Sequence, residues 1–180
     1  MSQKQMVLTA VGPDAPGRVK QISSFILDSG CNLEDSRMAM LAGEFALIVL
    51  FTGSQDGVAQ VERGREALEK QLDFSITLRS TQRPEARDDC LAYELRVGGV
   101  DQPGIVYGVS QALAALEINV ASFDSRLEPA AFSGTPVFTL HAELQVPGRP
   151  ALAQLQEALE ALCDDKNLSY SLDAMHLRTS

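Results

Sequence analysis

The spacing of apolar positions changes repeatedly along this chain, and each change marks an element. Met6 to Val11 is an apolar run of strand length. Val19, Ile22, Phe25 and Ile26 then fall on one helical face, with Gly30 as the stop. Ahead of that helix, Asp14 is expected as its cap and Pro16 in its first turn. Two strands follow, near Asn32 to Met40 and Glu44 to Phe51, and the tight connection Leu41-Ala42-Gly43 makes them a hairpin. A second helix is expected from Gln55 to Gln71 on Val58, Val61, Ala67 and Leu68, weakened at Gly64 by about 1 kcal/mol relative to alanine. Phe74, Ile76 and Leu78 then alternate with polar residues as a half-buried strand does.

The same order returns in the second half. Leu91 to Val97 reads as a strand, and a helix from Pro103 carries Ile105, Val109, Ala112, Leu113 and Leu116 on one face. Strands near Asn119 to Leu127 and Pro136 to Val146 are joined by a longer loop, Glu128 to Thr135. Leu152, Leu155, Leu159 and Leu162 mark a last helix, and Leu168 to Met175 a last strand. Individual residues repeat as well. Asp14, Pro16 and Gly17 reappear as Asp101, Pro103 and Gly104, an offset of 87 residues that also relates Asn32 to Asn119. Asp35-Ser36-Arg37 reappears as Asp124-Ser125-Arg126 at an offset of 89, which implies a two-residue insertion.

A βαββαβ order with a central hairpin predicts the ferredoxin-like, α+β arrangement: a four-stranded antiparallel sheet with two helices on one face. Two tandem domains are expected, over residues 1–80 and 91–180, with the polar, proline-containing stretch 81–90 as linker. A lone half would bury only about 60% of its unfolded surface, so the halves are expected to pack together or dimerise. The uncovered face of each sheet needs a partner, which can be the sibling domain, another chain or solvent.

Composition narrows the function. With 180 residues, 45% of them hydrophobic and 22% charged, the chain is ordinary globular material. A formal net charge of -9 opposes direct nucleic-acid binding. The basic run from Arg83 to Arg87 is broken by Pro84 and Glu85 and reads as solvated linker. Cys31, Cys90 and Cys163 are isolated, with no C-x-x-C spacing, which points to a reducing cytoplasm. Neither a leader nor a membrane span is expected, because no signal-length or span-length apolar run occurs.

Chemistry concentrates at the turn before each first helix. Free amides at a helix start favour an anion such as a carboxylate, and Gly17 and Gly104 let a ligand or another backbone approach. Asp14 and Asp101 can equally be simple caps, and Asn32 and Asn119 simple turn residues. Asp35 with Arg37, and Asp124 with Arg126, share a strand face and can pair, bind a zwitterion or stay solvated. His141 and His176 lack companions at metal spacing and read as structural, so no metal or cofactor is expected. No P-loop, nucleophile elbow or dinucleotide fingerprint is present, and no residues suggest catalysis.

These residues resemble the ACT domain family, small βαββαβ modules that bind amino acids and control enzymes or transcription. More narrowly, the run from Val7 through Asp14 to Gly17, followed by Gly30-Cys31-Asn32-Leu33-Glu34-Asp35-Ser36-Arg37, is similar to the glycine cleavage system transcriptional repressor group. The resemblance is strongest over residues 7–53 and weaker in the second copy. It implies an effector held where two ACT units meet, by Asp14, Ala15, Pro16, Gly17 and Asn32 and by Asp101, Gln102, Pro103, Gly104 and Asn119. It also implies an amino-acid ligand, with glycine possible, a homo-oligomer, and a DNA-binding protein as partner. Arg18 stands where a small apolar residue is frequent, which leaves copy two as the open turn and copy one as guarded. Competing readings are a module tied to an enzyme such as formyltetrahydrofolate deformylase, an RNA-binding domain of the same βαββαβ order, and an oligomerisation scaffold. The low aromatic content, 6%, weighs against the RNA reading.

Overall fold

The computed structural model describes residues 3–82, 90–130 and 134–175. The element order is β1 (Lys4–Pro13), α1 (Arg18–Asp28), β2 (Cys31–Leu41), β3 (Glu44–Gly53), α2 (Gln55–Leu72) and β4 (Ser75–Thr81). It continues with β5 (Leu91–Val100), α3 (Ile105–Ala115), β6 (Asn119–Pro129), β7 (Pro136–Val146), α4 (Gly148–Lys166) and β8 (Leu168–Ala174). The strands form two four-stranded sheets, β2-β3-β1-β4 and β6-β7-β5-β8, with every pairing antiparallel. This is the ferredoxin-like arrangement, present twice in tandem. The chain divides into two compact units, one for each sheet. Thr81 still belongs to β4, and residues 83–89 of the expected linker lie outside the described residues.

Alternation decides which sheet face is covered. Met6, Leu8 and Ala10 of β1 and Phe45, Leu47, Val49 and Phe51 of β3 turn to the helices and are buried. Ile22 and Ile26 of α1 and Val58, Val61, Leu68 and Leu72 of α2 meet them. The second core repeats the plan with Leu95, Leu140, Leu144, Val109, Leu155 and Leu159. Val19, expected on the buried face of α1, is exposed instead. Gly64 has a reason to exist despite its cost: a Cβ there would lie 2.7 Å from the Phe25 ring, which packs between α1 and α2. In the second unit the close approach is made from the other helix, where Gly108 of α3 has Leu162 of α4 at 2.7 Å from its absent Cβ. The β2–β3 hairpin turns on Ala42 and Gly43, at φ 51 and 87, the left-handed pair that a two-residue connection favours.

Among the described residues no helix is long and apolar enough to cross a membrane. Cys31 and Cys163 are buried and Cys90 is half-buried, all three as free thiols. Burial pushes the Cys31 thiol above its ordinary range, and burial followed by the Asp164 carboxylate does the same to Cys163. A thiol-disulfide reagent at pH 8 is therefore expected to titrate Cys90 quickly in the folded protein and all three thiols after denaturation. Fast reaction of two or more thiols in the native state would contradict this packing.

Candidate functional site

The β1–α1 and β5–α3 connections fold alike. The Asp14 backbone N–H donates to the Gly43 carbonyl at 3.0 Å, and that of Asp101 to the Pro136 carbonyl at 3.1 Å. Each turn is thereby fastened to the neighbouring hairpin strand. Gly17 and Gly104 follow at φ 90, the left-handed region, as the N-cap residues of α1 and α3. No side chain caps either helix. Asp14 and Pro16 thus precede the helix instead of capping and opening it, and α3 begins at Ile105, two residues after the expected Pro103. The physical reason is the glycine: its positive φ breaks the chain direction before helical geometry begins. Ala15 and Gln102 are half-buried, whereas Asp14, Pro16, Gly17, Asp101, Pro103 and Gly104 are exposed.

A cationic side chain stands at each turn. Arg18 Nε donates to the Pro13 carbonyl at 3.3 Å, and its guanidinium carbon lies 5.0 Å from the centre of the Phe74 ring. Apart from its chain neighbours Pro16 and Arg18, Gly17 has nothing within 4 Å of where a Cβ would be. In the second unit Lys166, the last residue of α4, reaches over the turn. Its Nζ donates to the Pro103 carbonyl at 3.4 Å and lies 3.9 Å from the Cβ position of Gly104. The Gln102 side-chain amide returns the contact by donating to the Lys166 carbonyl. Both turns therefore carry a cation, Arg18 beside Gly17 and Lys166 beside Gly104. No motif near position 102 announces Lys166, because the contact joins residues more than sixty positions apart. The turn still borders an open hollow of about 550 Å³, lined by Asp101, Gln102, Gly104, Ile105, Tyr107 and Phe138.

Asn32 is exposed at the start of β2 and lines a different hollow, of about 510 Å³, with Gly30, Cys31, Thr52, Gly53 and Ser54. Its counterpart Asn119 donates through Nδ2 to Gln145 Oε1 at 2.9 Å. The register fixes how far each asparagine lies from its own turn. Asn32 is opposite Thr52, which is opposite Gln5, whereas the turn leaves β1 at Pro13 opposite Glu44. From Gln5 to Pro13 the strand runs about 26 Å at roughly 3.3 Å per residue. The turn and the asparagine of one unit therefore stand at opposite ends of its sheet.

The paired carboxylate and guanidinium positions behave differently in the two units. Arg37 Nη1 meets Asp35 Oδ1 at 2.7 Å, both well exposed and screened by water. Asp124 and Arg126 form no ion pair among the described residues and line a shallow hollow with Glu128, Thr139 and His141. His141 Nδ1 is 3.8 Å from Glu94 Oε1, and Arg96 forks onto the same carboxylate at 2.9 and 3.0 Å. His176 lies outside the described residues. Among those described, no group of three or more His, Cys, Asp or Glu is placed to hold a metal ion. The faces away from the helices present Val7, Val11, Ile48 and Leu50 in one unit and Glu94, Arg96, Thr139 and His141 in the other. Neither offers the stacking aromatics of a sheet that reads RNA.

The ACT domain family pattern matches residues 4–79. The glycine cleavage system transcriptional repressor of Escherichia coli (strain K12) is 30% identical over 176 residues, covering 97% of this chain and 92% of that protein. Among solved structures, a protein of unknown role from Galdieria sulphuraria superposes with a TM-score of 0.84 at 29% identity, over 97% of this chain and all of that one. A second structure, provisionally named a glycine cleavage system transcriptional repressor, gives 0.72 at 28% identity, over 97% of this chain and 99% of that one.

Proposed function

The chain belongs to the ACT domain family, in the group that includes the glycine cleavage system transcriptional repressor, and from that premise we propose that it is a non-enzymatic amino-acid sensor regulating glycine cleavage and one-carbon metabolism through a protein partner. The observation that carries the proposal is the twin turn: two glycines at φ 90, each opening a helix that no side chain caps. Such a start offers partial positive charge to a carboxylate without a competing acidic cap. Arg18 and Lys166 add full positive charge beside it. The net charge of -9 leaves DNA contact to the partner.

In this reading the ligand is held between an ACT unit of one copy of the chain and an ACT unit of a second copy. One unit keeps its turn and its asparagine a sheet-length apart, so an amino acid touching both must take the turn from one unit and Asn32 or Asn119 from another. Antiparallel pairing of edge strands brings opposite sheet ends together and meets that need. β2 and β6 are both edges, and each carries exposed apolar residues on its helix side: Leu33, Met38 and Met40, or Val120, Phe123 and Leu127. A long bare edge of this kind calls for a partner strand.

Calorimetric titration of the full chain with glycine, serine and the remaining amino acids tests the reading. Saturable binding of at least one is expected. Asn32→Ala or Asn119→Ala should weaken it about tenfold, the value of one lost hydrogen bond near 1.4 kcal/mol. Silence across all twenty would leave a scaffold, not a sensor.

A further inference from the structure

The two units share a fold, yet their uncovered sheet faces have opposite chemistry. On β1 and β3 of the first unit, Val7 stands opposite Leu50, Thr9 opposite Ile48 and Val11 opposite Ala46. Ala39 of β2 extends the apolar patch beside Ala46. Val11 is 47% exposed and Ile48 46%. Charge is confined to the flanks, as the Asp35–Arg37 pair on β2 and Arg79 on β4. At the equivalent positions of the second unit, Glu94 is opposite Glu143, Arg96 opposite His141 and Gly98 opposite Thr139, with Asp124 and Arg126 alongside on β6. The fold therefore tolerates a charged face, and the apolar one answers to something other than the fold.

We propose that the open face of the first unit is a self-association surface that packs against the same face of a second copy of this chain. Complementarity selects the occupant. The charged face of a second unit would have to give up the hydration of Glu94, Arg96, Asp124 and Arg126 against aliphatic side chains, which is costly. A second copy of the aliphatic face has no charge to desolvate at its centre, where the Thr9 hydroxyl is already bonded to that of Thr77, and two antiparallel sheets pack face to face about 10 Å apart with their strands within about 30°. The size of the patch sets the strength. Strands spaced about 4.8 Å apart and about 20 Å long give a four-strand footprint near 400 Å², so two copies bury roughly 800 Å². That falls below the roughly 1,200 Å² of stable complexes, and the association is weak and concentration-dependent.

The surface does not depend on the effector reading: amino-acid binding can fail while the faces still pair. Sedimentation velocity on the full chain over a wide concentration series tests it. The weight-average mass is expected to climb toward twice its dilute value. Ile48→Glu, and independently Val11→Lys, should hold it at the dilute value, weakening association at least about tenfold by burying an unpaired charge. Thr139→Glu, on the charged face at the position in the second unit equivalent to Ala46, should behave as the unsubstituted chain, and circular dichroism verifies that each variant is folded. No rise in mass, or an undiminished rise in folded Ile48→Glu and Val11→Lys, overturns the proposal. So does a lowered Tm in these variants with unchanged mass, which would assign the face to packing within one chain.

Discussion

Phe51→Ala is expected to remove about 3–5 kcal/mol of stability, the range for deleting a buried aromatic ring. Phe51 is wholly buried in β3, an interior strand of its sheet, where it stands opposite Met6 on one side and Leu33 on the other. It belongs to the cluster that joins β1 and β3 to α1 and α2. Neighbours held by two strand ladders cannot close over the vacancy, so the loss includes a cavity as well as the transfer energy. Natural domains hold only about 5–15 kcal/mol in total, and a loss of this size brings the first unit close to unfolding. Urea denaturation followed by circular dichroism measures it. A loss under about 1 kcal/mol would mean that Phe51 does not sit where its strand register puts it.

Gly12→Ala should cost about 2–3 kcal/mol by the opposite route, overfilling a space already occupied. A Cβ on Gly12 would lie 2.2 Å from Phe74 Cδ1 and 2.7 Å from the Asp73 carbonyl oxygen. The ring can rotate away, but the carbonyl belongs to a backbone held at φ 58 where α2 ends. The second unit repeats the device: a Cβ on Gly99 would meet Leu168 at 2.6 Å, just after Asn167 at φ 47. The substitution also reaches the turn. Phe74 packs on Phe45 with ring centres 5.8 Å apart and supports the Arg18 guanidinium, so displacing the ring releases Arg18 toward Gly17. Thermal denaturation gives the stability term, and a change below about 0.5 kcal/mol would show that Phe74 yields freely.

The fold was legible because period and repeat agree. The 87-residue offset predicts that Gly17 and Gly104 occupy equivalent places, and both stand at φ 90 before their helices. Helix starts were less legible, since aspartate and proline ahead of an apolar run look the same whether or not a left-handed glycine intervenes. The candidate site divided along physical lines. Residue type pointed to the turn and the asparagine, but sequence spacing hides a strand's length, and only the register reveals that the two lie at opposite sheet ends. Lys166 was unreadable because tertiary packing alone brings it to Pro103. The contrast between the open faces was within reach: alternate residues of the first strand read Val7, Thr9, Val11, and those of its counterpart read Glu94, Arg96, Gly98.

The bond from the Asp14 amide to the Gly43 carbonyl ties the turn to the tip of the hairpin whose outer strand is the bare edge β2, and the Asp101 amide holds Pro136 at the far end of the β6–β7 pair. A ligand gripping the turn as proposed would pull on the same lever that positions the edge for a partner strand. Under that proposal effector affinity and assembly would be reciprocal quantities: whatever factor the amino acid added to subunit pairing, pairing would return to the amino acid.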